Sequence, residues 1–206
     1  MQRRGGPLVS NYGHALDFAA IMGPNPMSLT HFENLPALVD DETVHVVIET
    51  AKGSRNKYAC DPERGVFMLK GVLPEGTSFP YDFGFIPSTK GGDGDPLDVL
   101  VIMDAPAFAG CLIEVRIIGA IEAEQTERDG HVERNDRLIG VATHAHMHGD
   151  IRALSDLRPR MIDEIEGFFE HYNRLAGKAF RPVKRSDAQD AMRLVLDGIR
   201  AFKRSA

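Results

Sequence analysis

Between Val44 and Val141 the chain is a succession of short, β-branched apolar runs separated by proline-bearing loops, and this pattern most restricts how it can fold. The runs are Val44 to Thr50, Val66 to Leu69, Val99 to Met103, Cys111 to Ile118 and Arg137 to Val141. Each is too short for a stable helix and rich in residues that fit a pleated surface. Pro74, Pro80, Pro87, Pro96 and Pro106 stand between them, where a missing N–H does least harm. Many short strands with Gly/Pro turns predict a small barrel or sandwich. After Ser155 the period changes: Met161, Ile162, Ile165, Phe168, Phe169, Tyr172 and Leu175 recur at three and four residues, and Gly177 follows as a stop. A second helix is expected to open at Ser186, with Gln189 three residues on in the manner of a capping box. Ala188, Ala191, Met192, Val195, Ile199 and Phe202 form its apolar stripe. The fold class is therefore mainly β with α, an α+β fold in which two C-terminal helices lie on the strands.

Residues 1–40 show no sustained period and are expected to be a weakly structured N-terminal extension, with Met27 a second candidate start. Residues 41–206 are long enough for one domain with a substantial core. A formal charge of −6 argues against a general nucleic-acid or membrane binder. Arg3-Arg4 is followed by an apolar patch, Ala15 to Met22, that contains Asp17, a poor signal peptide. With no apolar run of about eighteen residues, the expected location is the cytoplasm. Cys60 and Cys111 have no motif spacing and are read as buried thiols of a reducing compartment.

Chemistry concentrates in Asp93-Gly94-Asp95-Pro96-Leu97-Asp98. Pro96 fixes one φ and Gly94 tolerates unusual ones, so three acids share a constrained turn entering a strand. Crowded carboxylates repel, and a cation is their natural counter-charge. Oxygen ligands without His or Cys favour Mg²⁺ or Mn²⁺ over Zn²⁺. An ordinary solvated turn is the plain alternative for such a cluster, but an EF-hand is excluded because the downstream Gly and Glu are missing.

The full string D-G-D-P-L-D-V-L-V resembles the signature of the soluble family I inorganic pyrophosphatases. The resemblance runs from about Val44 to Phe202 and implies a five-stranded OB-like barrel with flanking helices. It also implies Mg²⁺-dependent hydrolysis of pyrophosphate to two phosphates, with Mn²⁺ as a substitute, and a homo-oligomer such as the hexamer of bacterial members. By resemblance Asp93, Asp95 and Asp98 hold metal ions and the attacking water, with Asp95 also acting on that water as its base. Glu49, ending a V-V-I-E string, joins the metal ligands, and Glu127, three residues before Gly130, is the loop candidate. Lys57 of the Lys57-Tyr58 pair, Arg137 in the place of the lysine of D-x-K, and Tyr172 of Phe168-Phe169-Glu170-His171-Tyr172 would bind phosphate. At D-x-K, Asn135 takes the register of a metal-binding Asp, whereas a one-residue slip would bring in Asp136.

The chain also departs from the family pattern. Ala59 replaces an acid, Gly71 replaces a phosphate-binding Arg, Phe79 and Phe83 replace two tyrosines, and Asn173 replaces a lysine. Lys70 would face away from the site by period-2 alternation unless its strand is bulged. Lys178 is the cation that would stand in for Asn173. These changes motivate a rival reading, a degenerate relative acting on another phosphate compound. An OB-type nucleic-acid binder is a weaker rival, because it needs a basic groove with exposed aromatics. The alternating His144, His146 and His148 suggest either a Zn²⁺ site or, more plainly, a polar loop.

Overall fold

The structure, a computed structural model, describes Phe32 and residues 35–205; residues 1–31, including Met27, lie outside the described residues. Nine strands are found among the described residues: β1 (Thr43–Thr50), β2 (Asn56–Asp61), β3 (Val66–Val72), β4 (Asp82–Phe85), β5 (Asp98–Ile102), β6 (Leu112–Thr126), β7 (Val132–Arg134), β8 (Arg137–Ala142) and β9 (Ala179–Asp187). Helix α1 (Pro159–Leu175) precedes β9, and α2 (Ala188–Ser205) follows it. Strands β1, β4, β5, β8 and β6 pair in that order, and β6 pairs back with β1, closing a five-stranded ring. All its pairings are antiparallel except β5 with β8. Strands β2 and β3 form a separate hairpin.

Period-2 alternation divides the ring strands between two cores. In β5, Val99 and Val101 join a cluster with Ala191 and Val195 of α2, while Leu100 and Ile102 join another with Ile165 and Phe169 of α1. Both faces are buried, so the strand reads as an unbroken apolar run. Burial of each such side chain stabilises the fold by roughly 1.5–3 kcal/mol. Ala37 lies in the α2-side core and Leu38 bridges Val44, so the segment just before β1 is packed against the domain.

Strands β2, β4, β7 and β9 went unrecognised in the sequence. Strand β2 (NKYACD) is polar because it belongs to a half-exposed hairpin. Strand β9 (AFRPVKRSD) is charged because its outer face is solvated. Strand β6 runs beyond Ile118 to Thr126, since its far half pairs with β9 and β7. Glu122 and Glu124 are consequently strand residues: Glu122 pairs with Arg134 and Lys184, and Glu124 with Arg181. The expected capping box at Ser186 is also corrected. Ser186 is still in β9, and its hydroxyl donates to Glu122. The cap of α2 is Asp187, whose Oδ1 accepts the Asp190 N–H at 2.8 Å.

Two ladders carry an extra residue. Opposite β4, Ile48 pairs with Gly84 and Thr50 with Phe83, which leaves Glu49 as the bulge of β1. Opposite β2, Gly71 pairs with Lys57 and Leu69 with Tyr58, which leaves Lys70 as the bulge of β3. The tight crossing of β1 and β4 depends on Gly84, where a Cβ would come within 2.1 Å of the Val47 carbonyl oxygen. Backbone cannot yield there as a side chain can, so Gly84→Ala is expected to destabilise the protein by at least about 3 kcal/mol, lowering Tm by roughly 10 °C in thermal melts.

Candidate active site

A cleft of about 460 Å³ opens where the β2–β3 hairpin, the entry to β5, the β6–β7 hairpin and the end of α1 meet. The Asp93–Asp98 turn forms one wall. Gly94 has φ 91°, a left-handed conformation that glycine adopts without strain. The Asp95 N–H donates to Asp93 Oδ1 at 3.1 Å, and the Gly91 N–H donates to the Asp95 carbonyl at 2.7 Å. Asp93, Asp95 and Asp98 all line the cleft, with Asp95 the most exposed. Opposite them stands Glu49, only 9% exposed, with Oε1 accepting the Cys60 N–H at 2.7 Å.

Burial sets the electrostatics of this wall. It pushes the Glu49 carboxyl up to about 7, an effect that the Cys60 N–H opposes and the nearby Asp98 charge reinforces. Burial likewise raises Asp93 to about 6, with further upward pushes from Asp98 and Asp95. Asp98 is raised by burial against the pull of Arg137. The acids are not drawn into one preformed cluster: among the described residues, no three His, Cys, Asp or Glu groups stand close enough to hold an ion. The donor set nonetheless fits a hard divalent cation, being all oxygen, turned into one cleft and short of counter-charge.

Cations line the same cleft. Arg137 opens β8 at 6% exposure, and its Nη1 lies 2.6 Å from Asp98 Oδ2. The same nitrogen donates to Asn135 Oδ1 and, at 3.0 Å, to the Asp136 carbonyl. The rings of Phe169, Phe180 and Phe83 surround the guanidinium at 5.1, 5.6 and 5.9 Å. Lys178 Nζ contacts Glu127 Oε1 at 2.6 Å, beside Gln125. Lys57 Nζ lies 5.3 Å over the Tyr172 ring, which stacks on Phe168. Lys70, the bulge residue, lines the cleft as well.

Most of the residues singled out from the sequence thus meet: Glu49, Lys57, Lys70, Asp93, Asp95, Asp98, Glu127, Arg137, Tyr172 and Lys178. Asp136 does not. Alternation into β8 puts Asn135 on the cleft side with Arg137, while the Asp136 carboxylate accepts from the Ala123 N–H and Arg134 Nε. Asp136 lines instead a small hollow beside the cleft, together with Asp93 and Asp98. Glu133 also reaches the cleft, as does Gln125. Only the β6–β7 hairpin brings them there, and its turn at Gly130 was the one local signal. Asn173 is buried and donates to the Phe169 carbonyl at 2.9 Å, so it serves helix α1 rather than an anion.

The other sequence features are accounted for outside the cleft. His144 and His146 are exposed in a loop after β8, where Asp104 accepts the N–H groups of His146 and Met147. That is the polar loop rather than a zinc site. No disulfide joins Cys60 and Cys111, which are half-buried rather than fully buried. No helix among the described residues is long and apolar enough to cross a membrane.

Comparison with known proteins gives one consistent result. The family model described as inorganic pyrophosphatase matches residues 46–203. An inorganic pyrophosphatase of a Nostoc species is 36% identical over 169 residues, covering 82% of this chain and 97% of the relative. One from Thermus thermophilus is 39% identical over 160 residues, 78% of this chain and 88% of the relative. The crystal structure of a Thermus thermophilus inorganic pyrophosphatase superposes with a TM-score of 0.77 at 36% identity, covering 84% of this chain and 99% of that one. That of Helicobacter pylori gives 0.75 at 30% identity, with 83% and 99% covered. The mainly β ring with its two helices matches these OB-like structures, and with acids and cations converging on one cleft this chain belongs to the inorganic pyrophosphatase family.

Proposed function

We infer that the chain hydrolyses inorganic pyrophosphate to two phosphates in this cleft. The observation that carries the reading is the convergence in one cleft of all-oxygen acids with Lys57, Lys70, Arg137, Tyr172 and Lys178. Phosphoanhydride cleavage needs both, since negative charge builds on the phosphate oxygens while a water must be held in line.

Asp93, Asp95, Asp98, Glu49 and Glu127 would hold Mg²⁺, which when bound neutralises phosphate charge and acidifies the attacking water. Asp95, exposed at the mouth of the turn, accepts the proton of that water. Arg137 is fixed by its three rings and by Asn135, so it presents charge to phosphate with little ordering to be done on binding. Lys57 and Tyr172 hold the neighbouring phosphate oxygens. Lys70, re-aimed by the bulge, supplies charge on the strand where Gly71 has no side chain to offer. Lys178 completes the far end in place of Asn173. The same reading includes a cytoplasmic homo-oligomer, for which the exposed Phe108 and Met147 offer apolar surface; sedimentation of the purified chain tests it.

Phosphate release from pyrophosphate should vanish in excess chelator and return with Mg²⁺. Under the same conditions Asp98→Asn should lower kcat by at least about a hundredfold while Glu124→Gln leaves it within twofold; equal losses would reject the site assignment.

Lys70→Ala should lower kcat/KM for pyrophosphate by about ten- to a hundredfold, as for a lost charged hydrogen bond. Full activity in Lys70→Ala would mean that the bulge serves no phosphate.

Glu49 links the site to stability. Its carboxyl is raised from 4.5 to about 7, so its favourable contribution is present below pH 4.5 and lost as pH rises through 7. In chelator at pH 8, Glu49→Gln should therefore melt about 5 °C above the unchanged protein, and the gap should close toward pH 4.5. Added Mg²⁺ should raise the Tm of the unchanged protein more than that of Glu49→Gln. A gap independent of pH would show that Glu49 is not strained by its charge.

A further inference from the structure

A second hollow of about 370 Å³ continues from the cleft past Lys57, Lys70, Tyr172 and Ala176, which line both. Its character differs sharply from that of the cleft. No carboxylate lines it, and beyond the two lysines its walls are Val72, Leu73, Pro74, Thr77, Leu175 and the backbone of Gly71. Leu73 is buried, whereas Val72 and Leu175 are 59% and 51% exposed and form an apolar mouth. The room is created at Gly71, where a Cβ would meet nothing within 4 Å. A phosphate held by Lys57 and Lys70 thus has charge on one side and an aliphatic hollow on the other. Pyrophosphate, charged at both ends, has nothing to place there.

We propose that this hollow takes the alkyl group of a diphosphate monoester, and that the chain cleaves alkyl diphosphates to an alkyl phosphate and inorganic phosphate. The inference rests on the phosphate-binding roles assigned above. The bridging phosphate sits at Lys57 and Lys70 with its alkyl chain along Leu73 and Val72, while the terminal phosphate faces the acidic wall. The oxygen of water bonds to the terminal phosphorus and the bridging P–O bond breaks. The alkyl phosphate leaves with the bridging oxygen, and the proton of the water passes to Asp95 and then to solvent. Apart from Tyr172 and the two lysines, which it shares with the cleft, the hollow has aliphatic walls with Thr77 as the one hydrogen-bonding side chain, which favours an alkyl substituent over a nucleoside.

The test compares phosphate release from pyrophosphate, methyl diphosphate and n-butyl diphosphate with the full chain and Mg²⁺. Each buried methylene adds affinity, and with part of the hollow open to water the KM for butyl diphosphate should lie about tenfold below that for methyl diphosphate. Val72→Trp, which fills the mouth, should abolish that difference while kcat/KM for pyrophosphate stays within twofold, and Leu175→Asn should reduce it. Equal KM values for the two esters, or equal effects of Val72→Trp on butyl diphosphate and pyrophosphate, would overturn the proposal. If the folded, Mg²⁺-loaded chain leaves even pyrophosphate intact, the underlying hydrolytic reading fails. Calorimetry with butyl and methyl methylenediphosphonate then decides the hollow alone: tighter binding of the butyl compound, lost in Val72→Trp, supports it, and equal binding overturns it.

Discussion

The buried guanidinium of Arg137 is the constraint around which the functional end of this protein is arranged. A charge with so little exposure is tolerated only when paired and hydrogen-bonded. Its partners come from different elements: Asp98 from the start of β5, Asn135 from the approach to β8, and rings from β4, α1 and β9. One side chain therefore ties the acidic turn, the strand ring and the first helix together. It also gives Phe83 a physical role. A phenyl face against a guanidinium suits a dry contact better than a phenol whose hydroxyl would need its own partner.

Two bulges do the corresponding work for side chains that regular strands would have misdirected. Glu49 and Lys70 are the unpaired residues of β1 and β3, and both line the cleft. A single inserted residue re-aims a side chain without altering the rest of the ladder, which suits a site superimposed on a closed ring. The ring itself has little freedom: β4, β5 and β8 are buried along nearly their whole length, so their polar groups collect at strand ends and in the loops that join them.

The cleft holds its charge in a state that favours occupation. Burial lifts Glu49 and Asp93 well above the ordinary carboxylate range, while Asp98 and Glu127 lean on Arg137 and Lys178. Acids without counter-charge and cations occupied by acids describe one condition from two sides. A divalent cation taken up by the carboxylates would leave the Arg and Lys side chains to phosphate, so occupation of the two walls should be mutually favourable.

The apolar strands, the two amphipathic helices and the acidic turn were legible in the sequence because each rests on local periodicity or on adjacent residues: Val99 to Ile102, the stripe from Ile162 to Phe169, and Asp93 to Asp98. The polar strands β2 and β9 were not, since their pairing is fixed by β3 and β6 rather than by their own composition. Local pattern also misled at Ser186, where the backbone is still in β9 and the cap falls to Asp187. The choice between Asn135 and Asp136 turns on a one-residue register that alternation cannot supply without knowing where β8 begins. The arrival of Lys70, Gln125 and Glu133 at the cleft depends on a bulge and on a hairpin carried by the long strand β6. Sequence determined which chemistry the chain contains. Tertiary structure decided which of its charges face one another, because that follows from strand register and long-range pairing, which no local window encodes.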